Sequence, residues 1–273
     1  MTKLKHRLTD FWLLFGRLFP LSVKPGLLKI GSPDRNSPVL ITANFELTVR
    51  IVRETLEKSG MDAWLIVAAT KGTNVWCAAG AGDFTADTVI ASIKTSGIEQ
   101  LVDHRIIYLP QLAGAGINIW DLRERSKWRP RFGPADISDF PVFVQSQKAR
   151  TEREHRKVKF TLSQRFVMGT NLGFNVSLLL ILPLLIASVW IPGLWWKTLP
   201  LLFLLSLLSS LLVFWLPGKI GLQKGLALAP FATAGLVVID YFFLSLSPVD
   251  LLLWASWLVV VSAFVGYDMP SWS

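Results

Sequence analysis

Four apolar stretches occupy the C-terminal part of the chain, and they restrict what it can fold into more than any other feature. They run Phe174 to Ile191, Leu199 to Leu216, Leu226 to Leu246 and Leu251 to Tyr267. Each is about 17–21 residues, the length a helix needs to cross roughly 30 Å of hydrocarbon. Turn residues separate them: Pro192 and Gly193, Pro217 and Gly218, Ser247 and Pro248. Helices of a soluble bundle alternate polar and apolar faces, and these stretches do not. The charges point the same way. From Leu172 onward Lys197, Lys219 and Lys224 cancel Asp240, Asp250 and Asp268, so the whole net charge of +9 belongs to the residues before Leu172. With 52% hydrophobic and 17% charged residues, the chain departs from a soluble protein, where about 25% are charged, and a disordered chain is excluded.

Orientation follows from the flanking cations. Lys148, Arg150, Arg153, Arg156, Lys157, Lys159 and Arg165 precede the first stretch, and Lys219 and Lys224 are read into the loop between the second and third. The remaining sides hold Lys197 beside Trp195 and Trp196. The positive-inside rule then puts the N-terminal domain on the cytoplasmic side of the cytoplasmic membrane, and with four spans the C-terminus too. The basic run reads as a topology anchor on anionic lipid headgroups, not as a nucleic-acid patch. Phe11 to Val23 is apolar but broken by Arg17 and Pro20 and preceded by Lys3, Lys5 and Arg7. It suits either an interfacial amphipathic helix or a helix packed on the soluble domain. The expected division is 1–36 as a basic, amphipathic N-terminal segment, 37–147 as a cytoplasmic domain, 148–171 as a basic juxtamembrane linker, and 172–273 as a transmembrane domain of about four helices.

Between Ser37 and Val144 the pattern changes to short alternating elements. Pro38–Thr42 predicts a strand, Glu46 to Ser59 a helix stopped by Gly60, and Ala63 to Ala69 a strand buried on both faces. Thr85 to Ser96 predicts a helix capped by Thr85 and stopped by Gly97, while Arg105–Leu109 and Pro141–Val144 predict strands. This is an α/β domain with a mostly parallel, Rossmann-like sheet, a fold that binds ligands at the C-terminal ends of its strands. The single cysteine lies at such an end. It excludes an intrachain disulfide and any all-cysteine metal or iron–sulfur site within the chain. Asn74 caps a short helix from Val75, which puts Cys77 in its first turn, where partial positive charge favours a thiolate. Ala78, Ala79, Gly80, Ala81 and Gly82 follow; side chains this small leave room for a large flat ligand to approach the backbone. On these residues alone a buried, inert cysteine stays open as the alternative.

The motif N-V-W-C-A-A-G, made of Asn74, Val75, Trp76, Cys77, Ala78, Ala79 and Gly80, resembles the cap-helix motif of the membrane corrinoid protein of mercury methylation. Its wider relatives are the corrinoid-binding delta (large) subunits of CO dehydrogenase/acetyl-CoA synthase. The likeness extends to P-V-L-I-T-A-N-F at Pro38–Phe45, D-A-W-L-I-V at Asp62–Val67, K-G-T-N-V-W-C at Lys71–Cys77, H-R-I-I-Y-L-P-Q-L at His104–Leu112 and F-G-P-A-D at Phe132–Asp136. The resemblance implies a corrinoid (a cobalamin-type cobalt cofactor), with Cys77 as lower axial ligand of the cobalt and Asn74 to Gly80 together with Gly82 lining the cofactor. It implies a corrinoid-dependent methyltransferase that carries a methyl group on cobalt and passes it to an acceptor such as Hg(II). The implied partners are a ferredoxin-like iron–sulfur protein as reductant, a methyltetrahydrofolate-dependent methyl donor protein, and membrane lipid.

The resemblance has departures. Where the mercury protein continues G-K-G-T-F-G-T, this chain reads G-A-G-D-F-T-A: Ala81 replaces a lysine, Asp83 a threonine and Thr85 a glycine. A cation is lost and an anion gained, which puts mercury as the acceptor in question. The mercury protein's membrane domain also has one span more than is read here. The alternative is a corrinoid-binding membrane protein that handles or senses cobalamin, or passes the methyl group elsewhere; a non-corrinoid α/β scaffold is the third reading. Other candidates are weaker. His104, before a strand, suits a structural role better than a cofactor contact, and His6 and His155 sit among cations. Ala113–Gly116 either shapes the crevice or turns the chain. No dinucleotide fingerprint, P-loop or zinc spacing occurs. Asp240 is an intramembrane carboxylate or reaches the interface.

Overall fold

One pentapeptide and one hexapeptide of the chain have no solvent-facing side, and the sheet grows around them. A computed structural model describes residues 21–146, 151, 153–159, 161–218, 221–239, 241 and 247–267. Strand β2 (Val39–Ala43) is buried at every position, as is β3 (Ala63–Ala68). They pair in parallel, with Val39 opposite Trp64 and Ala43 opposite Ala68. Strand β4 (Ile106–Leu109) lies parallel on the other side of β2, and β5 (Arg129–Phe132) parallel to β4. Strand β1 (Gly26–Ile30) runs antiparallel along β3, so the sheet order is β1-β3-β2-β4-β5. The sheet is therefore mixed, with four parallel strands and one antiparallel edge.

Helices cover both faces. On one, α1 (Glu46–Lys58) and α5 (Phe140–Gln145) bury Val49, Leu56, Phe140 and Phe143 against Leu40, Leu65, Val67 and Tyr108. On the other, α2 (Val75–Gly80), α3 (Ala86–Ser96) and α4 (Ile119–Ser126) pack Val75, Ala79, Val89, Ile93 and Leu122 against Val39, Ile41, Trp64 and Ile66. The predicted stops hold: Gly60 and Gly97 both adopt left-handed φ, at 68° and 66°. The predicted cap of α3 also holds, with Thr85 Oγ1 accepting from the Thr88 backbone N–H at 3.4 Å.

Three expectations need correction. Pro141–Val144 is helical. Pro141 falls in the first turn of α5, where its missing N–H costs nothing. Phe140 and Phe143, three residues apart, turn inward edge-on to Tyr108 at 5.1 and 6.0 Å, while Val142 is 70% exposed. Residues 1–36 are not wholly a separate segment, because Gly26–Ile30 completes the sheet. Leu27 and Leu28 pack on opposite faces of it and Lys29 lies over the Trp64 ring, a cation on an edge strand that discourages further pairing. Phe11 to Phe19 lie outside the described residues. The third correction concerns the linker expected over 148–171: the described residues divide between Lys159 and 161, within it, but its later part is helical from Leu162.

Among its described residues the second unit has four helices: α6 (Leu162–Ala187), α7 (Leu194–Leu211), α8 (Gly221–Ile239) and α9 (Pro248–Tyr267). Helix α6 begins well before Phe174 because Thr161 and Gln164 form a reciprocal capping box; Arg165 is thus in the helix, and so is Lys224 in α8. Helices α6 and α7 are long and apolar enough to cross a membrane; α8 and α9 contain shorter apolar segments, Leu222–Val238 and Pro248–Ala263. The unit has an apolar core that includes Leu172, Leu202, Leu205, Leu258 and Val265, and its outer surface is apolar as well. Ser206, Ser209, Ser210, Thr198 and Ser262 are buried, while Leu182, Val189, Trp190, Trp215 and Phe231 are exposed. Helices α6 and α7 approach closely at Gly169 and Gly173, where an added Cβ would stand 2.9 Å from Leu207 Cα and 3.1 Å from Phe203 Cα. At one end of α7, Arg165 donates to the Leu211 carbonyl at 3.1 Å and the buried Lys224 to the Val213 carbonyl at 2.9 Å. Lys197 lies over the rings of Trp196 and Trp254. Asp240 lies outside the described residues.

Candidate functional site

The sheet order reverses direction at β2, whose neighbours β3 and β4 leave its carboxyl end on either side. Such a switch point opens a crevice, and three short loops meet there. The first follows β2 and carries Asn44. The second follows β3 and runs through Thr70 to Asn74 into α2. The third follows β4 as a tight helical turn, Gln111–Ala115.

The loop after β3 is shaped by two left-handed residues in succession, Lys71 at φ 56° and Gly72 at φ 75°. They form a tight turn closed by the Thr73 N–H donating to the Thr70 carbonyl at 3.0 Å. For Lys71, which has a Cβ, this conformation costs about 1 kcal/mol. Asn74 then takes extended backbone angles and caps α2, its Oδ1 accepting from the Cys77 N–H at 2.9 Å. Asn74 as cap and Val75 as first helical residue agree with expectation. Val75, Ala78 and Ala79 are buried in the core, Trp76 is half-buried, and Cys77 is exposed. The buried alternative for this cysteine is thereby overturned: the helix turns Ala78 and Ala79 inward and its thiol outward.

The far end of α2 is equally well held. The Asp83 and Phe84 N–H groups donate to the Ala78 carbonyl at 2.8 and 3.0 Å, and the Phe84 side chain is fully buried. The turn after β4 presses against α2 at Gly116, where a Cβ would stand 2.7 Å from the Ala79 carbonyl oxygen. Ala113–Gly116 therefore both turns the chain and seats α2. By contrast, an added Cβ at Gly80 or Gly82 would meet nothing within 4 Å. The site is thus rigid on its core side and open on its solvent side. Gln111 Oε1, on the same turn after β4, is buried without a hydrogen-bond partner.

These features fit a corrinoid. Cys77 would hold its cobalt through a soft sulfur donor, and the open side at Gly80 and Gly82 would admit its ring. Among the described residues no group of three or more His, Cys, Asp and Glu side chains could hold a metal ion alone. His104 stands at the amino end of β4, away from Cys77. Its Nδ1 accepts from the Ile106 N–H at 3.2 Å, and its Nε2 meets the Ser37 carbonyl at 3.0 Å, so both ring nitrogens serve the fold. His155 pairs with Asp139 at 2.7 Å, and His6 lies outside the described residues.

Two features of the site are not evident from the motif. Asp83 pairs with Lys71 at 2.6 Å, so the anion gained relative to the mercury protein's motif is met by a cation across the mouth. The pair's lysine is largely exposed, and its contribution is at most about 1 kcal/mol. The second is Asn44, which bonds to the Thr70–Gly72 turn. Its sequence signals are its position directly after a strand and its place in the stretch Pro38–Phe45.

Residues 17–144 match the family model described as CO dehydrogenase/acetyl-CoA synthase delta subunit. The acetyl-CoA decarbonylase/synthase complex subunit gamma of Methanopyrus kandleri is 38% identical over 128 residues, covering 47% of this chain and 27% of that protein. The corresponding subunit of Methanocaldococcus jannaschii is 34% identical over 138 residues, covering 50% of this chain and 28% of the relative. That of Archaeoglobus fulgidus is 36% identical over 117 residues. The chain spans about a quarter of the length of these relatives, 27% for the first. The family match covers β1 to β5 with Cys77 among them and stops short of the four-helix unit.

Proposed function

We propose that this chain is a membrane-anchored corrinoid protein in which Cys77 would hold the cobalt through its sulfur and the bound cofactor would serve as a methyl carrier. The observation that carries this reading is the presentation of the one cysteine: exposed on a capped helix, beside the open space at Gly80 and Gly82, in a region similar to the delta subunit of CO dehydrogenase/acetyl-CoA synthase. A bound corrinoid supplies the cobalt–carbon bond that holds the methyl group. The protein's part is to bind, orient and tune. Cys77 donates a soft sulfur, and Asn74 fixes the turn from which it does so. Ala78 and Ala79 hold that turn against the core. With a corrinoid bound, the soft sulfur of Cys77 would tune its reactivity toward an electrophilic acceptor such as Hg(II).

Membrane anchoring rests on the helical unit. Its outward surface is apolar, and serine and threonine lie buried among leucine and valine between its helices, as helices packed in lipid show. Arg165 and Lys224 at one end of α7 agree with an orientation in which the α/β unit faces the cytoplasm. A ferredoxin-like iron–sulfur protein would keep the cobalt reducible and a methyltetrahydrofolate-dependent protein would load it, because the single cysteine leaves this chain no iron–sulfur cluster of its own.

A second reading, a corrinoid protein that handles or senses cobalamin without methylating mercury, is favoured by Ala81 and Asp83. One experiment separates the two. Detergent-purified chain loaded with methylcobalamin and given Hg(II) in the absence of oxygen should release methylmercury in proportion to bound corrinoid. Bound, methylated cofactor with no methylmercury would leave the second reading standing.

A further inference from the structure

We propose that Asn44 is the positioning residue of Cys77, setting the height and tilt at which the thiol meets its ligand. Its purpose rests on the corrinoid reading above; its geometry does not. Asn44 follows β2, and only 6% of it is exposed. Its Oδ1 accepts three hydrogen bonds from the neighbouring loop: from the Thr70 N–H at 3.0 Å, the Thr70 hydroxyl at 2.8 Å and the Gly72 N–H at 2.9 Å. Its Nδ2 donates to the Val23 carbonyl at 3.2 Å, and its own N–H donates to Thr70 Oγ1 at 3.2 Å. One buried amide thus ties three separate segments together.

The tie falls on the strained part of the loop. Lys71 holds a left-handed conformation that a residue with a Cβ keeps only where its surroundings impose it. Asn44 grips the turn on both sides of Lys71, at Thr70 and Gly72. The Lys71–Asp83 pair adds a second strap at 2.6 Å. From Gly72 the chain passes through Thr73 directly to Asn74, whose side chain holds the Cys77 N–H. A relaxed turn at Lys71 would swing Asn74 and with it the first turn of α2. The far end of α2 would stay seated on Gly116, so the motion is a tilt about that seat, and Cys77 lies near the moving end. Binding sites need their donors held within about 0.5 Å, and Asn44 supplies that precision for the sulfur.

The test compares full-length wild-type chain in detergent with Asn44→Ala, Asn44→Asp and Thr70→Val. Two readouts are taken. Without cofactor, hydrogen exchange is followed at the Thr70, Gly72 and Cys77 amides, together with alkylation of Cys77, the chain's one thiol. After reconstitution with cobalamin, bound corrinoid and the cobalt–sulfur absorption are measured. Asn44→Ala should exchange about tenfold faster at Gly72 and Cys77, as expected for losing a buried bond, and alkylate at a changed rate. It should bind corrinoid with a diminished sulfur signature. Asn44→Asp, which keeps the acceptor oxygen but loses the Nδ2 donor to the Val23 carbonyl, should restore both in part, and Thr70→Val should shift both partway. Wild-type exchange and a wild-type sulfur signature in Asn44→Ala would overturn the proposal. If Asn44→Ala does not fold, unchanged values in Thr70→Val overturn it equally. Altered exchange in a chain that never takes up cobalamin would uphold Asn44 as the positioning residue and sink the cofactor reading instead.

Discussion

Gly116→Ala should dislodge the helix that carries Cys77, at a cost of about 3 kcal/mol, the upper part of the range for overpacked interiors. The glycine has φ −107°, so backbone conformation does not demand it. Space does. The added Cβ would stand 2.7 Å from the Ala79 carbonyl oxygen, 2.8 Å from that of Phe84 and 2.9 Å from Ala79 Cα. All three are backbone atoms, and no side-chain rotation relieves them. Either the turn after β4 lifts or α2 moves. Thermal unfolding should register the loss, and the sulfur signature of reconstituted protein should weaken with it. Gly80→Ala is the matched contrast. Nothing lies within 4 Å of its new Cβ, and an alanine in a helix gains roughly 0.5–1 kcal/mol over glycine. Its stability should hold or rise while corrinoid uptake falls, because the methyl group intrudes on the space the ligand would fill. Equal effects of the two substitutions would mean that the open side of α2 is not a binding surface.

Cys77→Ala should leave the fold untouched and abolish the chemistry. The side chain is exposed, and the backbone N–H that Asn74 accepts from remains. Stability should therefore change by no more than about 0.5 kcal/mol. Methyl transfer should fall by at least about a hundredfold, more than is typical when a mere outer partner of a metal ligand is lost. Unfolding curves and product release, measured on the same preparation, check both halves. Undiminished transfer with Cys77 gone would remove the cysteine from the mechanism.

Much of the α/β unit is legible in the amino-acid order, for identifiable reasons. Strands β2 and β3 are buried on both faces, so they show as uninterrupted apolar runs. The caps at Asn74 and Thr85 and the stops at Gly60 and Gly97 are local chemistry, visible within a few residues. Edge elements are less legible. Strand β5 reads Arg-Pro-Arg-Phe, and only an edge position tolerates its proline; without a partner in view, nothing marks it as a strand. Strand β1 is five residues long and includes a solvent-facing lysine. The segment Pro141–Val144 misleads because four apolar or β-branched residues suit a strand as well as the first turn of a helix. The start of α6 at Leu162 depends on a capping box in a run that otherwise reads as basic linker. Within the site, Cys77, Asn74 and the small residues after them stand out as one contiguous motif. Asn44 and Thr70 are 26 residues apart, and the Lys71–Asp83 pair spans α2. These become visible only once parallel strands bring their carboxyl ends together.

X-ray absorption at the cobalt edge of reconstituted, detergent-purified chain tests the central claim most directly. The account predicts one sulfur scatterer in the cobalt shell of the wild-type protein, absent from Cys77→Ala. A cobalt shell of nitrogen and oxygen alone in wild-type protein that has taken up a full equivalent of corrinoid would contradict it.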